Sequence, residues 1–448
     1  MDNLLHFVIV GTTFLLSTVL FYRAAGSLSL KSLNMNSIMY YFLLVWCFVG
    51  ASVIFCGFRD HYLLAKCSED VLAEGYFIIL YAIVSLPLYV ILFQRLIGIN
   101  NYKHFMDKFI NKEFALDNEQ GVFKVVCFLT MLGTLSLIYT FYILGYIPII
   151  ELFKGNVGIL LERVTITRDF AGNQYIRNIF ALTMLPMLSY LAYIYYRITN
   201  RRNWKWLFFI LLFLAILCKT YNFAKGPVIF YIFYFYLLDV LLGRIKSYKN
   251  IMYICVGSSI FIVLVYMYLL DFDGDLISMT MGPMGRIFIS QIATSFLHFQ
   301  IFPDVVSYLD GSSFPQSCSF LFNFFLEKSE YGIRSGRVVM EVFNPAGIAL
   351  NVAGVMNSLF VAEAYANFGY WGVLFSPVIV AIAMTIIPNL VISGKKTPIK
   401  LLLYVICTIE WTQCVMGGFV DYIYNVNLIM QFCILYLVNL ISKNICIK

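Results

Sequence analysis

The sequence predicts an all-α polytopic membrane protein of about eleven transmembrane helices with one long external loop. Three observations carry this. The chain of 448 residues is 61% hydrophobic and 12% charged, with a mean hydropathy of +0.84, whereas a soluble domain carries about a quarter charged residues. Apolar runs of about 20 residues recur from end to end, each long enough to cross a hydrocarbon core of about 30 Å. Lys and Arg gather in alternate short loops, the pattern that keeps cation-rich loops in the cytoplasm.

Taken in order, helices are expected at 4–22, 37–57, 71–93, 122–150, 179–196, 206–222, 226–242, 251–270, 370–393, 401–420 and 426–442. The first begins Met1-Asp2-Asn3 without a basic leader, and Arg23 follows it, so it reads as an uncleaved span. The basic loops around Arg23, Lys103, Arg201, Lys246, Lys395 and Lys443 place the N-terminus outside and the C-terminus inside. Three regions result: helices 1–8 over 1–270 with a shorter external loop at 151–178, a long external loop at 271–369, and helices 9–11 over 370–448. The long loop is rich in Phe, Ile, Met and Val and broken at Gly282-Pro283 and Asn344-Pro345. Disordered tails are polar, so amphipathic or re-entrant helices are expected there.

The net charge of +7 is spread over short loops, which explains it by topology and leaves no basic face for nucleic acid. The eleven cysteines lie mostly inside apolar runs and show no metal-ligand spacing. Cys67 and Cys318 fall in expected external loops and are candidates for a disulfide in an oxidising compartment. Asp271-Phe-Asp273-Gly-Asp275 fails as a calcium loop, since Leu276 stands where Gly is needed. No Walker A loop, HExxH, GxSxG or Cys/His cluster is present, so neither metal nor cofactor is expected.

Chemistry is expected where charge survives on the outer side. Arg163, Arg168, Arg177, Lys225, Arg286, Arg334 and Arg337 all fall there, and a guanidinium fork suits phosphate oxygens. The plain alternative for each is a solvated loop charge or a lipid head-group contact. Lys225 precedes Gly226-Pro227 at an expected helix start, where a cation opposes the helix dipole unless an anion is shared; snorkelling to the interface is the plain reading. Arg177 repeats that placement. Arg334, Arg337 and Glu341 share one face if helical, either as a diphosphate clamp with a base or as a salt-bridged stripe. Glu363 stands in an almost wholly apolar run, where a lone carboxylate is a candidate for proton transfer or a buried hydrogen-bonded group. Asn367, one turn on, and the arginines are its candidate partners. Glu410 and Asp421 are secondary acidic candidates. His298 is the one histidine of the long loop.

Gly285-Arg286-Ile-Phe-Ile-Ser-Gln291, Arg334-Ser-Gly-Arg337, Lys225-Gly-Pro227 and above all Ala362-Glu-Ala-Tyr-Ala-Asn-Phe-Gly369 resemble the O-antigen or oligosaccharide repeat-unit polymerases, the Wzy family. The resemblance implies a GT-C-like membrane glycosyltransferase of the bacterial inner membrane, acting at the periplasmic face. It implies that donor and acceptor are undecaprenyl-pyrophosphate-linked oligosaccharides, with a chain-length regulator and membrane lipids as partners and no cofactor. In that reading Arg286 and Arg337, with Arg334 and Lys225, neutralise the departing pyrophosphate, and Glu363 or Glu341 accepts the proton of the attacking hydroxyl. Arg163, Arg168 and Arg177 hold the acceptor or the entering glycan, and Tyr365 and Asn367 join the substrate contacts. The alternatives are an O-antigen ligase, with His298 as its loop histidine, and a lipid-linked-glycan flippase or transporter.

Overall fold

The computed structural model describes residues 2–445 except 117, 155–165, 168–169, 223, 246, 248, 250–251, 253–255, 258–277, 281, 319–329 and 351–352. Its helices are α1 Asp2–Ala25, α2 Met35–Phe55, α3 Glu69–Leu96, α4 Tyr102–Asn111, α5 Glu119–Leu144, α6 Ile176–Thr199 and α7 Arg202–Lys219. They continue as α8 Lys225–Leu241, α9 Gln291–Ile301, α10 Ser335–Phe343, α11 Phe360–Ile392, α12 Pro398–Gly417 and α13 Val426–Ile445. Eight are long and apolar enough to cross a membrane, namely α1, α2, α3, α5, α6, α11, α12 and α13. Among the described residues there is no sheet, only a bridge between Phe114 and Lys396. The chain is therefore an all-α, multi-spanning membrane protein. The expected helix at 251–270 lies almost wholly outside the described residues.

The chain divides into two compact units. The first comprises 1–107, 272–388 and 410–425. Its helix ends are closed by side chains, because four carbonyls at each C-terminus lack helical partners and little water reaches them at membrane depth. Asn36 and Gln94 donate to the Ala24 carbonyl, and Asn34 donates to that of Ala25. Asn34 also caps α2 through the amides of Asn36 and Ser37. Lys66 closes the other end of this unit's α10, donating to the Phe343 carbonyl at 3.0 Å over the Phe343 ring.

Within the same unit α11 is broken at Phe368 and Gly369, where Gly369 has φ +56. The sequence pattern places this helix at 370–393. The structure instead carries the helix back to Phe360 across the kink. The segment after α9 supplies what the kink removes: Leu309 and Asp310 donate backbone N–H groups to the carbonyls of Ala366 and Asn367, each at 2.9 Å. A Cβ at Gly369 would press on Tyr308 at 3.0 Å, so both the backbone angle and the close ring select glycine.

The second unit comprises 108–271, 389–409 and 426–448. Here α6 and α7 form a hairpin through Asn200 in the left-handed region, stacked by Tyr195 on Trp204 at 4.4 Å. Glu119 at the start of α5 accepts from Trp204 Nε1 at 2.9 Å and pairs with Arg201 at 3.0 Å. A tyrosine cluster, Tyr190, Tyr231 and Tyr234, fills the contact between α6 and α8. In the first unit Cys67 and Cys318 are separate free thiols, so the disulfide considered for them is absent. Burial, not oxidation, marks Cys67, pushing its thiol up to about 12.

Candidate functional site

Glu363 lies in the first turn of α11 and is 1% exposed. Its carboxylate accepts the backbone N–H of Val420 at 2.9 Å and the Ser335 hydroxyl at 3.4 Å. Val420 opens the short helix Val420–Ile423, which follows a break at Gly417-Gly418. Gly418 has φ +120, and a Cβ there would sit 2.2 Å from Glu363 Oε2. The break thus turns an amide toward the carboxylate while leaving room for it. Ser358 donates to the Met416 carbonyl and Met356 to that of Gly336, which ties α10, the start of α11 and the end of α12 into one junction.

Arg334 completes this junction. The sequence placed it on one helical face with Arg337 and Glu341, but α10 begins at Ser335 and Arg334 is its extended N-cap residue. Its side chain therefore leaves the helix face. It pairs with Asp421, and its Nη1 lies 3.8 Å from Glu363 Oε1. The guanidinium is 40% exposed, yet Nη1 is buried with no hydrogen-bond partner. Burial acts to lower its pKa, but the carboxylates of Asp421 and Glu363 more than reverse this and hold it above the usual guanidinium value. Two carboxylates share one fixed positive charge, so the cluster has one acid in excess. Such an arrangement can take up a proton beside a cation that stays charged.

An aromatic cavity of about 680 Å³ lies against the same junction, walled by Tyr308, Phe314, Phe368, Trp371, Phe375 and Phe419. Phe368 and Phe419 are the residues next to Asn367 and Val420. Asp310 and Ser376 are the polar groups of its lining. Aromatic walls with a few polar groups suit the faces of sugar rings or an apolar chain.

The other expected residues are placed differently. Arg337 and Glu341 pair with each other at 2.8 Å on the exposed side of α10. They form the salt-bridged stripe and share no hydrogen bond or ion pair with the cluster. Arg286 is exposed in the π-helical turn Gly285–Ser290 and makes none of the cluster's contacts. Tyr365 is buried among Phe299, Tyr308 and Tyr370. Asn367 is fully buried and holds the kink, donating to Ser313 Oγ and to the Glu363 backbone carbonyl while accepting from Gly311 N–H. It meets the backbone of Glu363 and not its carboxylate.

In the second unit Arg177 is 2% exposed and donates to the carbonyls of Ile166 and Thr167, to Tyr221 Oη and to Asn178 Oδ1. Phe170 and Tyr221 flank it at 4.5 Å and 5.5 Å. Lys225 is the first residue of α8, but its side chain, like Arg163, Arg168 and the Asp271–Asp275 stretch, lies outside the described residues.

Sequence reading missed Ser335, the Val420 amide and the space at Gly418, and ranked Asp421 second. The one local signal was the glycine pair Gly417-Gly418 before an acidic residue in an apolar run. His298 is fully buried with Nδ1 donating to the Thr294 carbonyl at 2.7 Å. Burial pushes its imidazole down to about 4, so it is neutral and shielded at pH 7. No family model matches the chain, and comparison with curated proteins and with solved structures gives no match.

Proposed function

We propose that the protein is a glycosyltransferase of the bacterial inner membrane. In this reading it joins undecaprenyl-pyrophosphate-linked oligosaccharide repeat units into O-antigen or a related surface polysaccharide at the periplasmic face. The topology belonging to this proposal has about eleven spans and a long periplasmic segment at 271–369. The observation that supports it is the Arg334–Glu363–Asp421 cluster beside an aromatic cavity, a buried acid and a half-exposed cation set on the helices of a membrane protein.

The chemistry needs a base for the acceptor hydroxyl and positive charge for the departing diphosphate. Asp421, with a side chain 24% exposed against 2% for Glu363, is the carboxylate that can meet an incoming hydroxyl. Glu363 stands behind it and fixes the guanidinium. Arg334 pairs with the Asp421 carboxylate, and its side chain, 40% exposed, brings fixed positive charge to the cluster. Exposed Arg286 follows the departing diphosphate, with Arg337, released from its exposed pair with Glu341, and Lys225 in support. The aromatic cavity stacks on sugar or holds the carrier's apolar chain. The ligase reading loses its loop histidine, because His298 is enclosed and neutral.

The test is direct. Purified protein is incubated with lipid-linked repeat unit extracted from a host lacking this gene. A ladder of lengthening lipid-linked glycans supports the proposal; product that forms only when lipid A core is added identifies a ligase, and no product with either rejects both.

A further inference from the structure

A second cavity, in the other unit, carries no part of that chemistry. It measures about 540 Å³ and lies between the start of α5, the start of α12 and the last turns of α13. Lys395, Lys400 and Lys443 line it, with the amides of Asn118 and Asn439. None of the described lining residues is acidic. The nearby Glu119 is taken up by Arg201 and Trp204. The N-terminus of α12, a helix of 20 residues, opens at the same place, with Thr397 capping the Lys400 amide at 3.2 Å. The helix dipole adds to the lysine charge. Lys400 Nζ donates to the Ser393 carbonyl at 2.9 Å, which holds its ammonium at the rim. The rest of the wall is apolar, formed by Leu403 on α12 and by Phe432 and Leu435 on α13, two helices able to cross the membrane.

We infer that this cavity binds the phosphate headgroup of an anionic phospholipid, with one acyl chain lying along the Leu403–Phe432–Leu435 wall. Cations at the mouth and apolar side chains below them match the two parts of such a lipid in order along the helix axis. Basic pockets between membrane helices select anionic headgroups in this way. A free phosphate would use the lysines and leave the apolar wall in water, so the wall separates the two sources of the same group. The site stands on the multi-spanning fold alone and does not depend on the glycosyltransferase reading.

The experiment uses the full chain in neutral detergent, stripped of lipid. Phosphatidylglycerol, phosphatidylethanolamine and inorganic phosphate are each titrated while thermal stability is followed. A photoactivatable phosphatidylglycerol maps the contact by crosslinked peptides. The expected result is saturable stabilisation by phosphatidylglycerol alone, with crosslinks in 395–403 and 432–443. Lys395→Gln/Lys400→Gln/Lys443→Gln should weaken it by about tenfold or more. Should the triple variant not fold, the exposed single change Lys443→Glu serves, with about fivefold weaker binding expected. Equal stabilisation by inorganic phosphate, equal binding by the folded variants, or crosslinks confined elsewhere would overturn the assignment.

Discussion

Arg177 and Arg334 are both arginines that the sequence marks for an anion, yet the protein surrounds them in opposite ways. Arg177 has every nitrogen engaged by neutral oxygens, two ring faces beside it and 2% exposure. Arg334 faces two carboxylates, keeps a buried nitrogen without a hydrogen bond and is 40% exposed. An enclosed guanidinium whose every nitrogen is already hydrogen-bonded organises the chain around it and is closed to a ligand by burial. A half-exposed one held by acids has charge and donors to spare for chemistry. Residue type and side of the membrane are the same for both in the sequence reading, and only the surroundings separate them.

The comparison breaks most visibly at Arg177. Arg177→Ala removes four hydrogen bonds and the stacking with Phe170 and Tyr221, leaving Tyr221 Oη still bonded to the Ile166 carbonyl, and should cost about 2–3 kcal/mol, read as a lowered unfolding midpoint in detergent. Retained stability would show that the arginine is dispensable to the fold and return it to the ligand-binding set. At the other site the loss should fall on turnover. Asp421→Asn removes the exposed acid while keeping its shape and should slow glycan extension by about 10²–10⁴-fold, with the folded protein still recovered. Unchanged rates would move the base to Glu363 or out of the cluster.

A smaller effect comes from a second buried cation. Lys396 donates to the Ile110 carbonyl at 2.6 Å and lies 4.3 Å from the Phe114 ring, with no carboxylate in those contacts. Burial lowers its ammonium to about 8, against about 10.4 in an unfolded chain. Between these values the unfolded chain holds a proton that the folded one lacks, so stability contributed by this group rises with pH from about 8 to about 10. Wild type should therefore gain about 1–2 kcal/mol relative to Lys396→Met between pH 7.5 and pH 9.5. A difference independent of pH would contradict the lowered value. Smallest of all, Glu341→Gln breaks an exposed pair on α10 and should change stability by about 0.5 kcal/mol or less. A larger loss would mean that the pair supports the junction from outside.

Much of the fold was legible because membrane helices announce themselves by length and apolarity. The structure places helices over 4–22, 71–93 and 426–442, each extended by a few residues, while the helix expected at 206–222 runs instead over Arg202–Lys219. The kink in α11 was not legible: its freed carbonyls are met by amides of Leu309 and Asp310, which no local pattern links to Ala366 and Asn367. The site was half legible. Glu363 stood out as a carboxylate in an apolar run, since burial of charge is costly wherever it occurs. Its partners did not, because Ser335, Val420 and Asp421 approach only after three separate chain segments meet. Arg334 was grouped with Arg337 and Glu341 because a helix was assumed to include it, and one residue of difference in the helix start redirected its side chain.

Arg334→Gln, expressed in a host lacking the wild-type gene, measures the central claim. Lipid-linked glycans are run on a gel beside a quantified band for the folded protein. Collapse of the ladder to single repeat units at undiminished protein abundance is the predicted result. Glycans of wild-type length at that abundance would contradict it.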